Sequence, residues 1–272
     1  MTAGFSYLRA KSIKDAISGL SKTNAKVHAG GTDLLGCLRD RVFTTDLVVS
    51  ISALKELKGI REAPGGNLSI GALTTITEIS ESGIIRERYP ALAQAAAEVA
   101  SPQLRNQGTI GGNLCQKPRC WYYRGEFNCL RKGGDRCYAV AGENHYHCIF
   151  GGAGCYIVHP SDTAPTLVAY GATAHIVGPA GMRKVSLDHF FVPPSKDVTK
   201  ETVLETDEIV TEIVLPPPPS GLKSSYRKVR ARRSWDFALA GVALTLQMTD
   251  GKVTDVRIVL SGAAPIPWRS VD

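Results

Sequence analysis

The sequence predicts an α+β fold in two domains, from three observations. Short helix-like and strand-like stretches alternate through residues 1–73, as in βαβ units. Four consecutive prolines at 216–219 would break any sheet and so indicate a domain boundary. Beyond them, apolar residues alternate on both sides of Asp250 and Gly251, which is typical of a β-hairpin. We therefore expect a first domain at residues 1–215 and a C-terminal domain at residues 220–272.

The first subdomain, residues 1–73, is expected to place a glycine turn between a strand and a helix. Residues 26–29 favour an extended chain, Gly30 and Gly31 follow them, and a helical pattern begins at Leu34. Such a turn can hold a phosphate, because glycine lets the backbone approach and N–H groups are free where a helix begins. An ordinary tight turn is the alternative. The dinucleotide fingerprint G-x-G-x-x-G is absent, so the sequence does not support a Rossmann fold.

The second subdomain, residues 74–215, is expected to begin with helices and to continue as strands. Helical patterns cover residues 75–81 and 89–100, and the second has a face of small residues. Strand patterns cover residues 172–177 and 209–215.

The C-terminal hairpin has one apolar face, to which Leu244, Leu246 and Ile258 belong. No further element that could cover this face is evident before residue 272. We therefore expect the C-terminal α+β domain to be truncated.

Composition narrows the classes of function. The formal charge of +7 is spread along the chain, and its densest run, residues 227–233, fits an anionic cofactor or a protein partner as well as a nucleic acid. We expect no nucleic-acid partner. The first twenty residues lack a secretory signal, and no stretch is apolar for long enough to span a membrane. Seven cysteines in such a chain favour metal or redox use over a disulfide framework.

Six of these cysteines lie in residues 101–162, a stretch with little apolar periodicity. Loops this long are uncommon in compact domains, and aromatic residues and clustered cysteines argue against disorder. Because the segment cannot build an apolar core of its own, a metal centre is the natural source of its order. Four cysteines could also hold zinc.

Three motifs together resemble the FAD-binding subunit of the molybdenum hydroxylase family, which includes xanthine dehydrogenase and aldehyde oxidoreductase. They are residues 29–34 (AGGTDL), residues 103–114 (QLRNQGTIGGNL) and residues 159–162 (HPSD). The resemblance implies a PCMH-type, two-subdomain FAD-binding fold, followed by a smaller C-terminal domain. It also implies the flavin contacts, which are Lys26, Val27, His28, Ala29, Gly30, Gly31, Thr32, Asp33, Leu34, Thr109, Gly111, Gly112, Asn113, Ser161, Asp162, Ile209 and Lys228.

The cysteine-rich insert, residues 115–155, is similar to the branch of this family whose FAD subunit carries an extra [4Fe–4S] cluster. By that similarity the ligands are Cys120, Cys129, Cys137 and Cys155, one thiolate for each iron. The other cysteines are not expected to be ligands. We expect a flavin-loop role for Cys115, a small buried apolar role for Cys37, and the same role for Cys148 in a buried strand. His145 and His147 could ligate a metal, but a neutral, hydrogen-bonded role is more common and is the one that we expect.

The resemblance implies an electron-transfer subunit with no catalytic residues of its own. Its partners would be a molybdopterin-binding large subunit, which oxidises aldehydes or N-heterocycles, and a [2Fe–2S] small subunit. The complex would be cytoplasmic, or periplasmic by co-export with a partner. A stand-alone FAD oxidoreductase and a zinc-stabilised binding module are the alternatives.

Overall fold

A computed structural model describes residues 4–271, so the first three residues of the predicted first subdomain and Asp272 of the predicted C-terminal domain lie outside the described residues. The strands are β1 (Ser6–Arg9), β2 (Ala25–His28), β3 (Leu47–Ser50), β4 (Ile60–Ala63), β5 (Asn67–Gly71), β6 (Thr173–Gly178), β7 (Gly181–Ser186), β8 (Ile209–Leu215), β9 (Leu222–Val229), β10 (Ala240–Thr249), β11 (Lys252–Ser261) and β12 (Trp268–Arg269). The helices are α1 (Ile13–Leu20), α2 (Leu34–Arg39), α3 (Ile76–Glu81), α4 (Gly83–Arg88), α5 (Pro90–Glu98), α6 (Pro102–Gln107), α7 (Ile110–Leu114), α8 (Trp121–Arg124) and α9 (Thr163–Ala169).

The first sheet is parallel, in the order β1-β3-β2. The Ser12 hydroxyl caps α1 by accepting from the N–H of Asp15, and the helix buries Ala16 and Leu20 in the same core cluster as Val49 of β3. The predicted turn at Gly30 and Gly31 is confirmed, since it joins the carboxyl end of β2 to α2.

The second sheet has the order β4-β5-β8-β6-β7 with every neighbouring pair antiparallel. It shares a large apolar core with α3, α4, α5 and α9. The predicted helix 89–100 is confirmed as α5, but α4 was not predicted. Ser82 accepts from the N–H of Ile85, and this cap starts a new helix one residue after α3 ends.

The third sheet, β12-β11-β10-β9, is antiparallel and contains the predicted hairpin. It packs on α5 and α9 through small and polar residues, including Ala243 and Thr245, which are buried. The alternating apolar side carries Val256 and Ile258, which are exposed. Among residues 4–271 no helix is long and apolar enough to cross a membrane.

Candidate functional site

Two glycine-containing segments, the turn after β2 and the helix α7, line the same cavity. A Cβ added at Gly30 would lie 1.9 Å from the carbonyl oxygen of Gln107, so only glycine permits this approach. Gly31 has φ +75°, and a Cβ there would lie 2.7 Å from His28 Nε2. A Cβ at Gly111 would lie 3.0 Å from the Cβ of Ala72. The glycines therefore bring three backbone segments together where no side chain fits.

The turn at Gly30 and Gly31 and the helix α7 differ in the backbone N–H groups that they offer to a ligand. The N–H groups of Ile110 and Gly111 donate to Thr74 and Ala72, and that of Gly112 donates to the hydroxyl of Thr109. By contrast, within residues 4–271 the N–H groups of Gly30 and Gly31 donate to no protein acceptor. The turn at Gly30 and Gly31 can therefore donate to an anion, whereas α7 contributes by close packing.

These segments form one groove out of two cavities. The first, about 210 Å³, has largely apolar walls that include Val27, Phe43 and Ile209. The second, about 360 Å³, reaches Asn113 and Asp162. Five residues line both cavities: Thr32, Asp33, Thr109, Gly112 and Gln116. The groove suits an elongated ligand with an apolar end and a polar end.

Most of the predicted flavin contacts line this groove. Those on the first cavity are Lys26, Val27, Ala29, Gly30, Gly31, Thr32, Asp33, Leu34, Thr109, Gly111, Gly112 and Ile209. Asn113 and Asp162 line the second cavity, and Ser161 lines a neighbouring one that Asp162 shares. His28 and Lys228 line neither cavity of the groove.

Lys228 lies behind the groove and holds Asp162 in place. Its Nζ atom is 2.7 Å from Asp162 Oδ2, and its side chain is 0% exposed. The Tyr226 hydroxyl donates to Asp162 Oδ1 at 2.8 Å. Burial raises the pKa of Asp162, and the Lys228 ammonium acts against that rise. Lys228 and Tyr226 belong to β9, so these contacts join the third sheet to the groove.

Asp33 faces the cysteine-rich insert. Its carboxylate forms ion pairs with Arg119 and Arg124 and accepts the backbone N–H of Lys117 at 2.7 Å. Burial acts to raise the pKa of Asp33, but the two guanidinium groups hold it below its ordinary value. Because Arg124 ends α8, which begins directly after Cys120, Asp33 connects the flavin loop to the start of the insert.

The four predicted ligand cysteines, Cys120, Cys129, Cys137 and Cys155, line a single cavity. Cys129 and Cys155 are buried, and Cys120 and Cys137 are half-buried. In the part of the chain that the structure describes, no three His, Cys, Asp or Glu side chains are close enough to hold one metal ion. The four thiols line a space of about 10 Å³ without meeting at one point.

The prediction that Cys148 lies in a buried strand is wrong. Cys148 is half-buried in an irregular segment, where its N–H donates to the carbonyl of Tyr156 at 2.9 Å, and the thiol does not line the cysteine cavity. A turn at His145 and Tyr146 and a bend at Gly151 interrupt the extended chain that a strand requires. Cys37 is buried on α2, and Cys115 lines the first cavity of the groove.

Comparison with known proteins assigns the family. The model described as "FAD binding domain in molybdopterin dehydrogenase" matches residues 3–218, and "CO dehydrogenase flavoprotein C-terminal domain" matches residues 224–272. The chain belongs to the FAD-binding subunits of the molybdenum hydroxylases. FAD is therefore its cofactor, and the chain is a component of an oxidoreductase.

Relatives of this FAD-binding subunit extend along almost all of the chain. The aldehyde oxidoreductase FAD-binding subunit PaoB of Escherichia coli is 36% identical over 97% of this chain and 83% of that protein. The carbon monoxide dehydrogenase medium chain of Hydrogenophaga pseudoflava is 31% identical over 97% of this chain and 77% of its own. A solved structure of the Hydrogenophaga pseudoflava carbon monoxide dehydrogenase superimposes with a TM-score of 0.76 and 29% identity, covering 99% of this chain and 78% of that chain.

The prediction that His147 is hydrogen-bonded is confirmed, since its Nε2 lies 3.2 Å from the sulfur of Cys120. Sequence reasoning missed Arg131, which also lines the cysteine cavity of this subunit. Its only signal in the sequence is its place two residues after Cys129.

Proposed function

We propose that this FAD-binding subunit is a two-cofactor electron-transfer subunit, with FAD in the glycine groove and a [4Fe–4S] cluster in the cysteine cavity. The observation that carries the proposal is the grouping of Cys120, Cys129, Cys137 and Cys155 around one cavity. The Asp33 ion pairs attach that cavity's first segment to the flavin loop. One rigid body would then hold both redox groups.

The groove offers complementary surroundings along an extended FAD. The free N–H groups of Gly30 and Gly31 suit the pyrophosphate, and the apolar walls beside Ile209 suit the adenine. Asp162 and Asn113 supply polar groups at the other end of the groove. Bound FAD would supply a carrier that can take up electrons singly and pass them on singly or in pairs. The residues position the cofactor and do no acid–base chemistry of their own.

The donor set of the cysteine cavity, four thiols, matches an iron–sulfur cluster. Four thiolates match the four irons of a [4Fe–4S] centre, whereas zinc requires its ligands to converge within about 2.3 Å of one atom. No single-ion group exists among residues 4–271. Burial raises the pKa of Cys120 to about 11, so binding of the cluster would release protons that the apo thiols hold.

The partners that we propose are a molybdopterin-binding large subunit and a [2Fe–2S] small subunit. The relatives are named as subunits of an aldehyde oxidoreductase, a carbon monoxide dehydrogenase and a xanthine dehydrogenase. These names support a complex that oxidises a small substrate on a different subunit. Aldehydes and N-heterocycles are the substrate classes that we propose for it. A cytoplasmic site, or export together with a partner, remains a prediction.

Dye reduction tests whether the chain supports substrate oxidation only together with its partner subunits. The purified, flavin-loaded chain is assayed with aldehydes or purines and an artificial acceptor, alone and after addition of the two partner subunits. We expect turnover only in the reconstituted complex. Equal turnover by the single chain would contradict the proposal and favour a stand-alone flavin oxidoreductase.

A further inference from the structure

Arg131 is a buried cation on the wall of the cysteine cavity. It lies on the 3-10 turn Leu130–Lys132 immediately after Cys129, and its side chain is only 2% exposed. It lines the cavity together with Cys129 and Cys155. A charge buried this deeply is rare unless it is paired, so its partners show what holds it there.

The hydrogen bonds of Arg131 fix the plane of its guanidinium group. Nε and Nη2 donate to Glu201 Oε1 at 3.2 and 2.5 Å. Nη2 also donates to the carbonyl of Lys200 at 3.0 Å, and Nη1 donates to that of Val198 at 2.6 Å. A guanidinium group has five N–H donors, and these contacts use four. One N–H on Nη1 has none of these partners.

The cation lies beside the space that the four thiols surround, because Arg131 and Cys155 line the same cavity. A cation or a hydrogen-bond donor near a ligating sulfur favours negative charge on that sulfur.

The counter-charge of Arg131 is shared with a second cation. The side chain of Glu201 is only 8% exposed, and its other oxygen contacts Nζ of Lys117, which lines the first cavity of the flavin groove. Arg131, Glu201 and Lys117 therefore carry a net charge of one positive unit between the cysteine cavity and the groove. At low local dielectric this charge is weakly screened.

We propose that Arg131 is a positioning residue that raises the reduction potential of the cluster, by holding its charge on the wall of the cavity that the four cysteines line. The inference rests on the proposed cluster. Reduction adds one negative charge to the cluster, and a fixed cation beside a ligating sulfur stabilises that charge. Hydrogen bonds to the sulfurs and local net charge are general determinants of such potentials. Glu201 acts in the opposite sense by offsetting the cation.

The test is a redox titration of the full, cofactor-loaded chain, monitored by electron paramagnetic resonance, for three variants. Arg131→Gln removes the cation, Glu201→Gln removes the counter-charge, and Arg136→Gln is the matched control. Arg136 precedes Cys137 directly but is 69% exposed, so solvent screens its charge. Iron content is measured for every sample.

We expect Arg131→Gln to make reduction at least tenfold less favourable, which is about 59 mV more negative for a one-electron couple. Glu201→Gln should shift the potential in the positive direction, and Arg136→Gln should leave it unchanged. A purely structural role for Arg131 would change iron content without producing shifts of opposite sign.

Three results would overturn the inference. One is an unchanged potential in an iron-loaded Arg131→Gln protein, and another is an equal shift in Arg136→Gln. If Arg131→Gln fails to fold, Glu201→Gln decides, and a potential that is unchanged or more negative counts against the inference. Absence of iron from the unmodified chain overturns the proposed cluster as well, whereas iron with an unmoved potential overturns this inference alone.

Discussion

At the scale of single residues, Gly31 tests the flavin groove. A side chain at φ +75° costs about 1–3 kcal/mol, and the carboxylate of Gly31→Glu would repel a pyrophosphate at the free N–H groups. We expect FAD binding to weaken tenfold or more, as tenfold corresponds to about 1.4 kcal/mol. Flavin absorbance of the purified protein measures it. Gly83→Glu is the control, because Gly83 is exposed at the start of α4 with open space around its Cα. Full FAD occupancy in Gly31→Glu would remove this site assignment.

His159 predicts a pH dependence of stability. Burial lowers its pKa from 6.5 to about 4, and its Nδ1 accepts the N–H of Ser161 at 3.4 Å. Between pH 6.5 and pH 4 the folded state therefore binds fewer protons at His159 than the unfolded state. The contribution of neutral His159 to the free energy of unfolding is complete above pH 6.5 and is lost as the pH falls towards 4. The loss amounts to about 3 kcal/mol.

Denaturant unfolding between pH 7 and pH 4 measures the contribution of His159. His159→Gln should lack this part of the acid dependence, whereas His145→Gln, at an exposed position, should retain it. Identical acid dependence in His159→Gln and the unmodified chain would refute the assignment.

At the scale of elements, Asp33 joins the flavin loop to α8. Asp33→Asn would leave Arg119 and Arg124 without their carboxylate, and because Asp33 is still 19% exposed we expect a loss of about 2 kcal/mol rather than the full cost of a buried pair. FAD and iron should both be retained less well. Thermal unfolding and cofactor content measure this.

Asp40 provides the matched control for Asp33. It lies on the same segment, but its partner Arg39 is 75% exposed, so Asp40→Asn should cost little. If Asp33→Asn lost iron but kept full FAD affinity, the two sites would be independent.

The sequence could predict elements with strong local signals. Glycine after an extended stretch placed the turn at Gly30 and Gly31, and Asp250-Gly251 placed the hairpin. The sequence could not predict α4. Only one residue, the capping Ser82, separates this helix from α3, so no clear boundary between two helices is visible in the pattern. Nor could it predict which side of the hairpin packs, since the neighbouring helices select the small residues.

The contacts that organise the candidate site were less accessible to sequence reasoning. Glu201 lies 70 residues after Arg131, and Lys117 lies 84 residues after Asp33, so no local spacing relates them. The grouping of the cysteines could be proposed only through family resemblance, because their spacing matches no ferredoxin run. These contacts follow from the tertiary structure, and no local sequence pattern indicates them.

At the scale of the whole molecule, Lys228 joins the C-terminal sheet to the groove. Lys228→Met would leave Asp162 buried without its cation, which costs about 3–5 kcal/mol. We expect a lower unfolding midpoint and weaker FAD binding. Lys223→Met, at an exposed position on the same strand, should change neither. Equal stability of the two variants would show that this ion pair does not hold the domains together.

The central claim is that one chain holds both FAD and a four-cysteine cluster. The most direct test is the content of FAD, iron and acid-labile sulfide in the purified chain and in two cysteine variants. We predict one FAD with about four iron and four sulfide per chain, loss of the iron in Cys129→Ser, and full content in Cys148→Ala. Zinc in place of iron, or loss of iron on replacing Cys148 alone, would contradict the account.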